Sequence, residues 1–368
     1  MKIFYFGFYT KNMNPNDFVT FPGCNTKMGY IIDAIKENDI QIDVICLGES
    51  FKKATKKHIK IDDLEVNTFV STVSNRILSK INLWGEVSYY LLFKIKKEDT
   101  VIFYHSLYML PFFKIAKAIK GFRLIIEVEE SYYAAWGKSK LLINIELMLL
   151  RGAYGYIYVN DILPNLIEKN HPYVICYGGY NVSKNNFLSR NEKNSLKNLV
   201  YAGLISEEKD SDIYLAINAM SFLDNSYKLH VLGYGTDRAI DNLNAYISSE
   251  SLSQKVHYEG FLTGDDYNAY LSNCDIALNP RMLLNELSNY TFPSKVLSYL
   301  CTGLLVVSTP IDCIKYSSVA NLVSFSKDST PSEFANAIKN IDYSVNPTDS
   351  VKKLHRDFVR EIGVLLKK

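Results

Sequence analysis

Short apolar runs recur along the whole chain, with segments of helical pattern between them. The runs form two sets, Ile3–Phe8, Ile42–Leu47, Thr100–Tyr104, Arg123–Val128, Gly155–Val159 and Tyr173–Cys176 in the first half and Leu199–Ala202, Lys228–Leu232, Val256–Tyr258, Ile276–Leu278, Leu304–Ser308 and Leu322–Phe325 in the second. Continuous apolarity, rather than alternation, is typical of strands that are covered on both faces in a parallel sheet. The pattern therefore predicts an α/β protein with two doubly wound, Rossmann-like parallel-sheet domains.

The length and composition of the chain fit two globular domains. A chain of 368 residues is long for one core, and 48% hydrophobic with 22% charged residues is ordinary for a soluble protein. The formal net charge of +2 argues against a dedicated nucleic-acid binder. Because Tyr180–Lys197 is polar and rich in Asn, Ser and Lys, we expect domains at 1–180 and 181–345. Residues 346–368 should form a C-terminal helix that packs back on the N-terminal domain.

Cysteine usage and charge runs bear on the location of the protein. The cysteines are Cys24, Cys46, Cys176, Cys274, Cys301 and Cys313, without a C-x-x-C pair, which predicts buried thiols in a reducing cytoplasm. The sequence opens on a strand-like run rather than a secretory signal, and we expect a cytoplasmic protein. Lys52–His58 is a basic run that is interpreted either as a solvated loop or as a peripheral contact with the inner face of the cell membrane.

The block Phe292–Gly303 predicts a short helix with an anion-binding start. Pro293 suits the first turn of a helix, and Gly303 suits its end. The open N-terminus presents unpaired backbone N–H groups beside Ser294 and Lys295. We therefore expect the phosphate groups of a group-transfer donor to bind here.

Three further loops of the second half follow predicted strands, so they should lie along the same edge of the sheet. They contain the candidate donor-binding residues Gly203, Lys209, Gly233, Tyr234, Gly235 and Arg281. Glycine lets the backbone approach a ligand closely, and a lysine or arginine can pair with phosphate. Each loop alone is a weak signal, because a glycine after a strand is usually just a turn. Their ordered series is more specific than any member.

The loop between the first strand and the first helix contains three candidates for contact with an acceptor or a phosphate. They are Gly23, Asn25 and Lys27, and the helix itself is predicted to begin near Thr26. A plain helix cap is the alternative interpretation of Asn25.

Polar residues end two neighbouring buried strands of the first half. His105 ends one strand, where a polar side chain is expected to face a cleft, although a structural role is the alternative. Glu127, Glu129 and Glu130 end the next, and strand alternation places Glu127 and Glu129 on one face. An unpaired carboxylate is costly to bury. These acids could deprotonate an acceptor hydroxyl, bind an acceptor sugar or hold a structural cation, and our catalytic candidates are Glu129, Glu130 and His105.

On these motifs the second half resembles the GT-B-fold nucleotide-sugar glycosyltransferases, the large and mostly retaining family of bacterial glycan assembly. Tyr258–Phe261 and Cys274–Leu278 add to the match, which covers about residues 198–326 and reaches the first half only by architecture. The Phe-Pro-Ser-Lys sequence at residues 292–295 is similar to the subgroup that acts on exopolysaccharide and surface-polysaccharide precursors. The resemblance implies a donor nucleotide in the C-terminal domain, an acceptor in the N-terminal domain and transfer in a cleft where the domains face each other.

The resemblance also implies that the loop and helix start around residues 290–298 bind the donor. The residues concerned are Tyr290, Thr291, Phe292, Pro293, Ser294, Lys295 and Ser298. The family usually has an arginine at the place of Leu204 and glutamates at the places of Tyr290 and Ser298. Glu286 is a candidate substitute for the missing acid.

We therefore expect a hexosyltransferase-type glycosyltransferase that moves a sugar from a nucleoside-diphosphate sugar to a glycan or lipid-linked oligosaccharide in bacterial surface or exopolysaccharide synthesis. Because no Asp-x-Asp motif ends a strand, we expect no metal and no other cofactor. A homo-oligomer or a partner glycosyltransferase stays open. The alternatives are a weak or inactive glycosyltransferase-like subunit and a sugar-nucleotide epimerase. An oxidoreductase is disfavoured, because no Gly-x-Gly-x-x-Gly follows the first strand of either half.

Overall fold

The computed structural model divides into two compact units, which are described separately. It describes residues 2–11, 13–51, 57–61, 64–68, 71–72, 76–180, 196–208, 211–282 and 290–367. Unit 1 comprises Met1–Gly179, Tyr290–Phe292 and Arg356–Lys368, and unit 2 comprises Tyr180–Asn289 and Pro293–His355. The domain boundary near residue 180 remains a prediction, because the greater part of the expected linker, residues 181–195, lies outside the described residues.

Unit 1 contains an eight-stranded sheet and a two-stranded one. Its strands are β1 (Ile3–Gly7), β2 (Ile42–Cys46), β3 (Glu49–Ser50), β4 (Lys57–Ile61), β5 (Leu64–Thr68), β6 (Ser71–Thr72), β7 (Thr100–Tyr104), β8 (Arg123–Val128), β9 (Gly155–Tyr158) and β10 (Tyr173–Ile175). The large sheet has the order β10-β9-β8-β7-β1-β2-β5-β4, and β3 pairs with β6. Every pair in the large sheet is parallel except β4 with β5.

Helices cover both faces of the large sheet of unit 1. They are α1 (Pro22–Lys36), α2 (Arg76–Phe93), α3 (Leu110–Lys120), α4 (Tyr132–Ala135), α5 (Lys140–Leu150), α6 (Leu163–Leu166) and the part of α13 (Pro347–Lys367) from Arg356 onward. Right-handed crossovers place α1 on one face and α2, α3 and α5 on the other, because the chain moves along the sheet in opposite directions from β1. On the α1 face, the ring of Phe358 lies 5.4 Å from that of Tyr30, and Asn38 Nδ2 donates to Val359 O at 2.7 Å.

Unit 2 is built on one six-stranded parallel sheet. Its strands are β11 (Lys197–Leu204), β12 (Tyr227–Tyr234), β13 (Val256–Gly260), β14 (Ile276–Asn279), β15 (Leu305–Ser308) and β16 (Val323–Phe325), in the order β13-β12-β11-β14-β15-β16. Its helices include α7 (Asp212–Ala219), α8 (Asp237–Ser249), α9 (Gly264–Ser272), α10 (Ser294–Cys301), α11 (Asp312–Lys315) and α12 (Pro331–Lys339). Strand residues such as Leu229, Ile276 and Val307 pack against Phe334 of α12 in a closed core.

The predicted α/β class with two parallel sheets is confirmed, and every predicted strand is present. The short strands β3 to β6 are additional. Of the basic run Lys52–His58, residues 52–56 lie outside the described residues, and Lys57 begins β4 rather than a loop. All six cysteines are free, and all but Cys24 are buried.

The predicted start of the first helix near Thr26 is wrong, because α1 begins at Pro22. Proline fits the first position of a helix, where its fixed φ is helical and its missing N–H is not needed. Gly23, Asn25 and Lys27 therefore lie in the first turns of α1 and not in the loop before it.

Candidate functional site

The carboxyl ends of β11 and β12 meet at a pair of glycines in unit 2. Gly203 lies beside Gly233 in the strand register. A Cβ atom on Gly233 would lie 1.9 Å from the carbonyl oxygen of Gly203, and the φ of Gly233 is +158°. A Cβ on Gly235 would lie 2.6 Å from Ile205 O. Only glycine fits at these positions, so the backbone itself forms the surface at this end of the sheet.

The helix α10 begins at the same edge, between β14 and β15 in the chain. Pro293 is its N-cap residue, and Ser294 is exposed at its first position. The phenol oxygen of Tyr299 accepts from Ala202 N at 2.9 Å, which fixes α10 against the end of β11. Gly303, with a φ of +75°, ends the helix as predicted. The free N–H groups of the first turn are therefore held in a fixed place.

Lys295 gives this edge of unit 2 a positive charge of unusual character. Its Nζ lies 4.5 Å from the ring centroid of Tyr201, and the side chain is half-buried. Burial lowers the pKa of Lys295 to about 8, the Asp212 carboxylate offsets part of this effect, and the Arg281 guanidinium adds to it. Two cations and one carboxylate share the site, so an anion that bound there would stabilise the charged lysine.

Two exposed aromatic rings lie at the ends of β12 and β13. Tyr234 is 57% exposed and Phe261 is 60% exposed, and their ring centroids are 5.2 Å apart in an edge-to-face arrangement. Large apolar rings are usually buried, so a pair in the open at a strand end is suited to stacking on a planar ligand. Tyr234 was predicted from the sequence to be a donor-binding residue, whereas Phe261 was not. Phe261 could have been predicted, because it is an aromatic residue directly after Gly260, the last residue of β13.

The remaining predicted donor residues do not all lie at this edge of unit 2. Lys209 and Glu286 lie outside the described residues. Ser298 lies on α10, where its hydroxyl hydrogen-bonds with Tyr267 of α9. Tyr290–Phe292 belong to unit 1, where Thr291 O accepts from Asn160 Nδ2 at 3.0 Å. The predicted donor block thus divides after Phe292, and only the part from Pro293 onward belongs to unit 2.

The predicted acids of unit 1 lie beside Lys27. Glu127 is fully buried and accepts from the phenol of Tyr5, while Glu129 forms an ion pair with Lys27. Lys27 Nζ also donates to Cys176 O at 2.5 Å. Burial and the nearby carboxylate of Glu129 raise the pKa of Glu127 well above its usual value, which favours its uncharged form. Because Lys27 is paired with Glu129, its positive charge is already neutralised within the protein.

Burial and the ion pair with Glu129 have opposite effects on the pKa of Lys27. Burial alone would lower the pKa of this ammonium, but the Glu129 carboxylate is the chief of several groups that raise it above its usual value. In the first turns of the same helix, Gly23 is exposed, and Asn25 Oδ1 accepts from Thr10 N at 2.7 Å. Asn25 therefore holds the chain after β1, and Gly23 alone of the three predicted residues is open to solvent.

His105 is buried, at 1% exposure, and does not face solvent as its position at a strand end predicted. Its Nε2 lies 3.0 Å from Glu146 Oε1, and Nδ1 is without a hydrogen-bond partner. Glu146 also accepts from Ser131 Oγ at 2.6 Å and from the backbone N–H groups of Tyr132 and Tyr133 at 2.8 and 2.9 Å. Burial alone would raise the pKa of Glu146, but these hydrogen bonds lower it below its usual value.

The Glu146 carboxylate therefore fixes both the ring of His105 and the start of α4. Glu146 was not predicted from the sequence. Glu146 is the single acid in the mostly apolar helix α5. Because a buried charge needs a partner, a lone acid in such a helix indicates a buried ion pair or hydrogen-bond network, and this pattern could have predicted the role of Glu146.

Glu130 is half-buried like Glu129, but no ion pair is observed for it among the described residues. Burial raises the pKa of Glu130, and the carboxylates of Glu129 and Glu146 add to the rise. A carboxylate with a raised pKa is a better proton acceptor than an ordinary one. Within the described ranges, no group of three or more His, Cys, Asp or Glu side chains is arranged to hold a metal ion.

The C-terminal part of the chain matches a known family. Residues 196–341, which include the glycine pair, Lys295 and α10, match the model of the family described as "Glycosyl transferases group 1". A sequence comparison with curated proteins finds none that matches.

Solved structures match the whole chain in fold. HepE from Anabaena in complex with UDP has a TM-score of 0.64 at 12% identity and covers 100% of this chain and 98% of its own. Sucrose-phosphate synthase from Thermosynechococcus elongatus has a TM-score of 0.66 at 11% identity, with coverage of 100% and 95%. The lipopolysaccharide outer core galactosyltransferase WaaB has a TM-score of 0.63 at 13% identity and covers 99% of each chain. The C-terminal part of the chain is therefore similar to the group 1 glycosyltransferases over residues 196–341, and the whole chain shares the fold of solved GT-B glycosyltransferases.

Proposed function

We propose that this protein transfers a sugar from a uridine-diphosphate sugar to a glycan or lipid-linked oligosaccharide acceptor. The observation that carries the proposal is the anion site of unit 2, where Lys295 lies at the first turn of α10 beside the glycine pair. The neighbour HepE was solved with UDP and also with UDP and glucose, which makes uridine diphosphate the first nucleotide to test.

In the proposed mechanism, unit 2 stabilises the leaving group. The bond between the anomeric carbon and the phosphate oxygen breaks, and its electron pair leaves with the diphosphate. Lys295, Arg281 and the N–H groups that begin α10 neutralise that charge, and each hydrogen bond to a charged group contributes about 1.5–3 kcal/mol. The exposed rings of Tyr234 and Phe261 provide a surface on which the uracil stacks.

The acceptor side of the mechanism is assigned to unit 1. As the acceptor oxygen bonds to the anomeric carbon, its proton must pass to a base, and we assign this role to Glu130. Glu127 is fully buried and Glu129 is held by Lys27, whereas Glu130 has a raised pKa and is half-buried. His105 is buried and held by Glu146, so we assign it a positioning role beside Tyr132 and not a contact with the acceptor. The stereochemical outcome stays open.

The family resemblance of the Phe-Pro-Ser-Lys block supports a finer proposal for the biological role. We assign the protein to surface-polysaccharide or exopolysaccharide synthesis, at the cytoplasmic face of the cell membrane. No metal is assigned to the reaction.

Product analysis with a panel of UDP-sugars, in the presence and absence of oligosaccharide acceptors, tests the proposed function. We expect acceptor-dependent release of UDP together with a glycosylated product. Replacing Glu130 with glutamine should lower kcat at least about a hundredfold without weakening UDP binding, because general-base catalysis contributes about 10²–10⁴ in rate. The exposed Glu250→Gln in unit 2 is the matched control and should leave kcat unchanged.

Each other outcome contradicts the transferase proposal in its own way. Conversion of the donor sugar without UDP release would identify an epimerase. UDP binding without any product across the panel would favour a glycosyltransferase-like subunit. A Glu130→Gln variant with undiminished kcat would remove the assigned base while leaving the donor site in place.

A further inference from the structure

Three neighbouring helices of unit 1 expose apolar side chains to solvent. The residues, which we call the apolar face, are Leu78, Ile81, Tyr89 and Phe93 of α2, Ile115 and Ile119 of α3, and Leu141, Ile145, Met148 and Leu149 of α5, each between 41% and 69% exposed. A helix on the surface of a globular protein normally turns its polar stripe outward. Here the outward stripes are apolar.

The three helices form one continuous layer. They cover the same face of the large sheet, as the crossovers require. Between α2 and α3, the ring of Trp84 stacks on Phe112 at 5.6 Å. Between α3 and the end of α5, Lys114 Nζ donates to Leu149 O at 3.0 Å and Lys117 Nζ to Gly152 O at 3.1 Å. The exposed side chains therefore belong to a single surface, and continuous apolar surfaces of this kind mark a docking site.

The charges around the apolar face indicate its partner. Lys80, Lys94, Lys120 and Lys140 lie on these helices or directly after them. The three helices contain just two acids, Glu86 and Glu146, and Glu146 is buried against His105. In a two-fold dimer through this surface, positive rims would meet each other. A layer of anionic headgroups above an apolar interior complements both the rim and the face.

We propose that the apolar face of α2, α3 and α5 docks onto the surface of a membrane that contains anionic lipid. No helix in the described part of the chain is long and apolar enough to cross a bilayer. The proposed contact is therefore peripheral, with the apolar face on the membrane surface. The exposed Leu, Ile, Met and Phe side chains enter the boundary between headgroups and acyl chains, and the lysines pair with lipid phosphates. This proposal rests on the membrane location assigned under the proposed function and deepens it by naming the surface that makes the contact, and it uses no residue of the proposed donor site.

Vesicle co-sedimentation of the full chain tests the proposal. We expect binding to vesicles of phosphatidylcholine mixed equally with phosphatidylglycerol, and weak binding to phosphatidylcholine alone. The triple variant I115Q/I119Q/M148Q should lose binding at least about tenfold, since each buried methylene contributes to membrane affinity. The triple variant K94E/K120E/K140E should lose the preference for anionic vesicles. All six side chains are outside the packed core, so both variants should fold.

A matched control carries the same kind of substitution on unit 2. The variant F222Q/Y316Q removes two exposed aromatic rings from that unit and should bind vesicles like the wild type. Undiminished vesicle binding of I115Q/I119Q/M148Q would overturn the proposal. A wild-type protein that binds neither vesicle type would also overturn it. A concentration-dependent dimer that the same triple variant dissociates would assign the face to a second copy instead. UDP release with a soluble acceptor should persist in all these variants, so failure here is separate from failure of the proposed function.

Discussion

Replacing Lys27 with alanine should destabilise unit 1 by about 3–5 kcal/mol, the usual cost of removing one partner from a buried ion pair. Lys27 and Glu129 are 7% and 21% exposed, and Glu127 lies fully buried beside them. Without the ammonium, the Glu129 carboxylate would have no nearby cation to offset its burial. The Cys176 carbonyl would also lose its donor.

Tryptophan fluorescence during urea unfolding measures this effect. Both tryptophans of the chain, Trp84 and Trp136, belong to unit 1, so their transition reports that unit. Because the pKa of Lys27 is raised above its usual value, the stability gap between wild type and Lys27→Ala should be fully present at neutral pH and shrink as the pH rises through that raised pKa. The double variant Lys27→Met/Glu129→Gln should recover most of the loss, because it removes both charges. An unchanged transition in Lys27→Ala would contradict the buried pair.

Replacing Gly233 with alanine should disrupt unit 2 and the proposed donor site together. The new Cβ would lie 1.9 Å from Gly203 O, a distance that real Cβ atoms essentially never show, and the neighbouring atom is backbone. The strands β11 and β12 would have to separate at their carboxyl ends. We expect a loss of about 3 kcal/mol or more, from overpacking together with an unfavourable φ. UDP binding should fall with it, since the same backbone forms the site.

Circular dichroism and calorimetry distinguish destabilisation of unit 2 alone from destabilisation of the whole protein. The thermal transition of unit 2 should move down while the tryptophan transition of unit 1 stays in place. Gly85→Ala in α2 is the matched control, because no heavy atom lies within 4 Å of its Cβ, and alanine favours a helix by about 0.5–1 kcal/mol over glycine. A Gly233→Ala protein with normal stability and UDP affinity would show that the glycine pair has no structural role.

The strands could be predicted from the sequence because buried parallel strands are continuous apolar runs. Runs such as Thr100–Tyr104 and Leu305–Ser308 have few other interpretations. The additional strands β3 and β6 have two residues each, and β4 and β5 mix polar with apolar residues, so none of them carries such a signal. The start of α1 was misplaced because Gly23 suggested a loop, whereas Pro22 directly before it marked the first helical position.

The residues of the proposed donor site were easier to place from the sequence than those of the proposed acceptor site. Gly203 and Gly233 end neighbouring strands and Lys295 begins the helix at the same edge, so their meeting follows from topology. The pairs Lys27–Glu129 and His105–Glu146 join separate helices and strand ends. Sequence spacing does not determine such contacts, because they depend on how α1 and α5 pack on the sheet.

Calorimetric titration of UDP is the most direct test of the central claim that Lys295 holds the donor diphosphate. At pH 7, Lys295→Ala should weaken UDP binding about ten- to a hundredfold, which corresponds to one charged hydrogen bond. Lys315→Ala, at an exposed lysine of the same unit, should bind like the wild type. Because the pKa of Lys295 is lowered to about 8, the wild-type affinity should fall as the pH rises through that value, whereas Lys295→Arg should stay flat. Equal UDP affinities for wild type and Lys295→Ala at pH 7 would contradict the account.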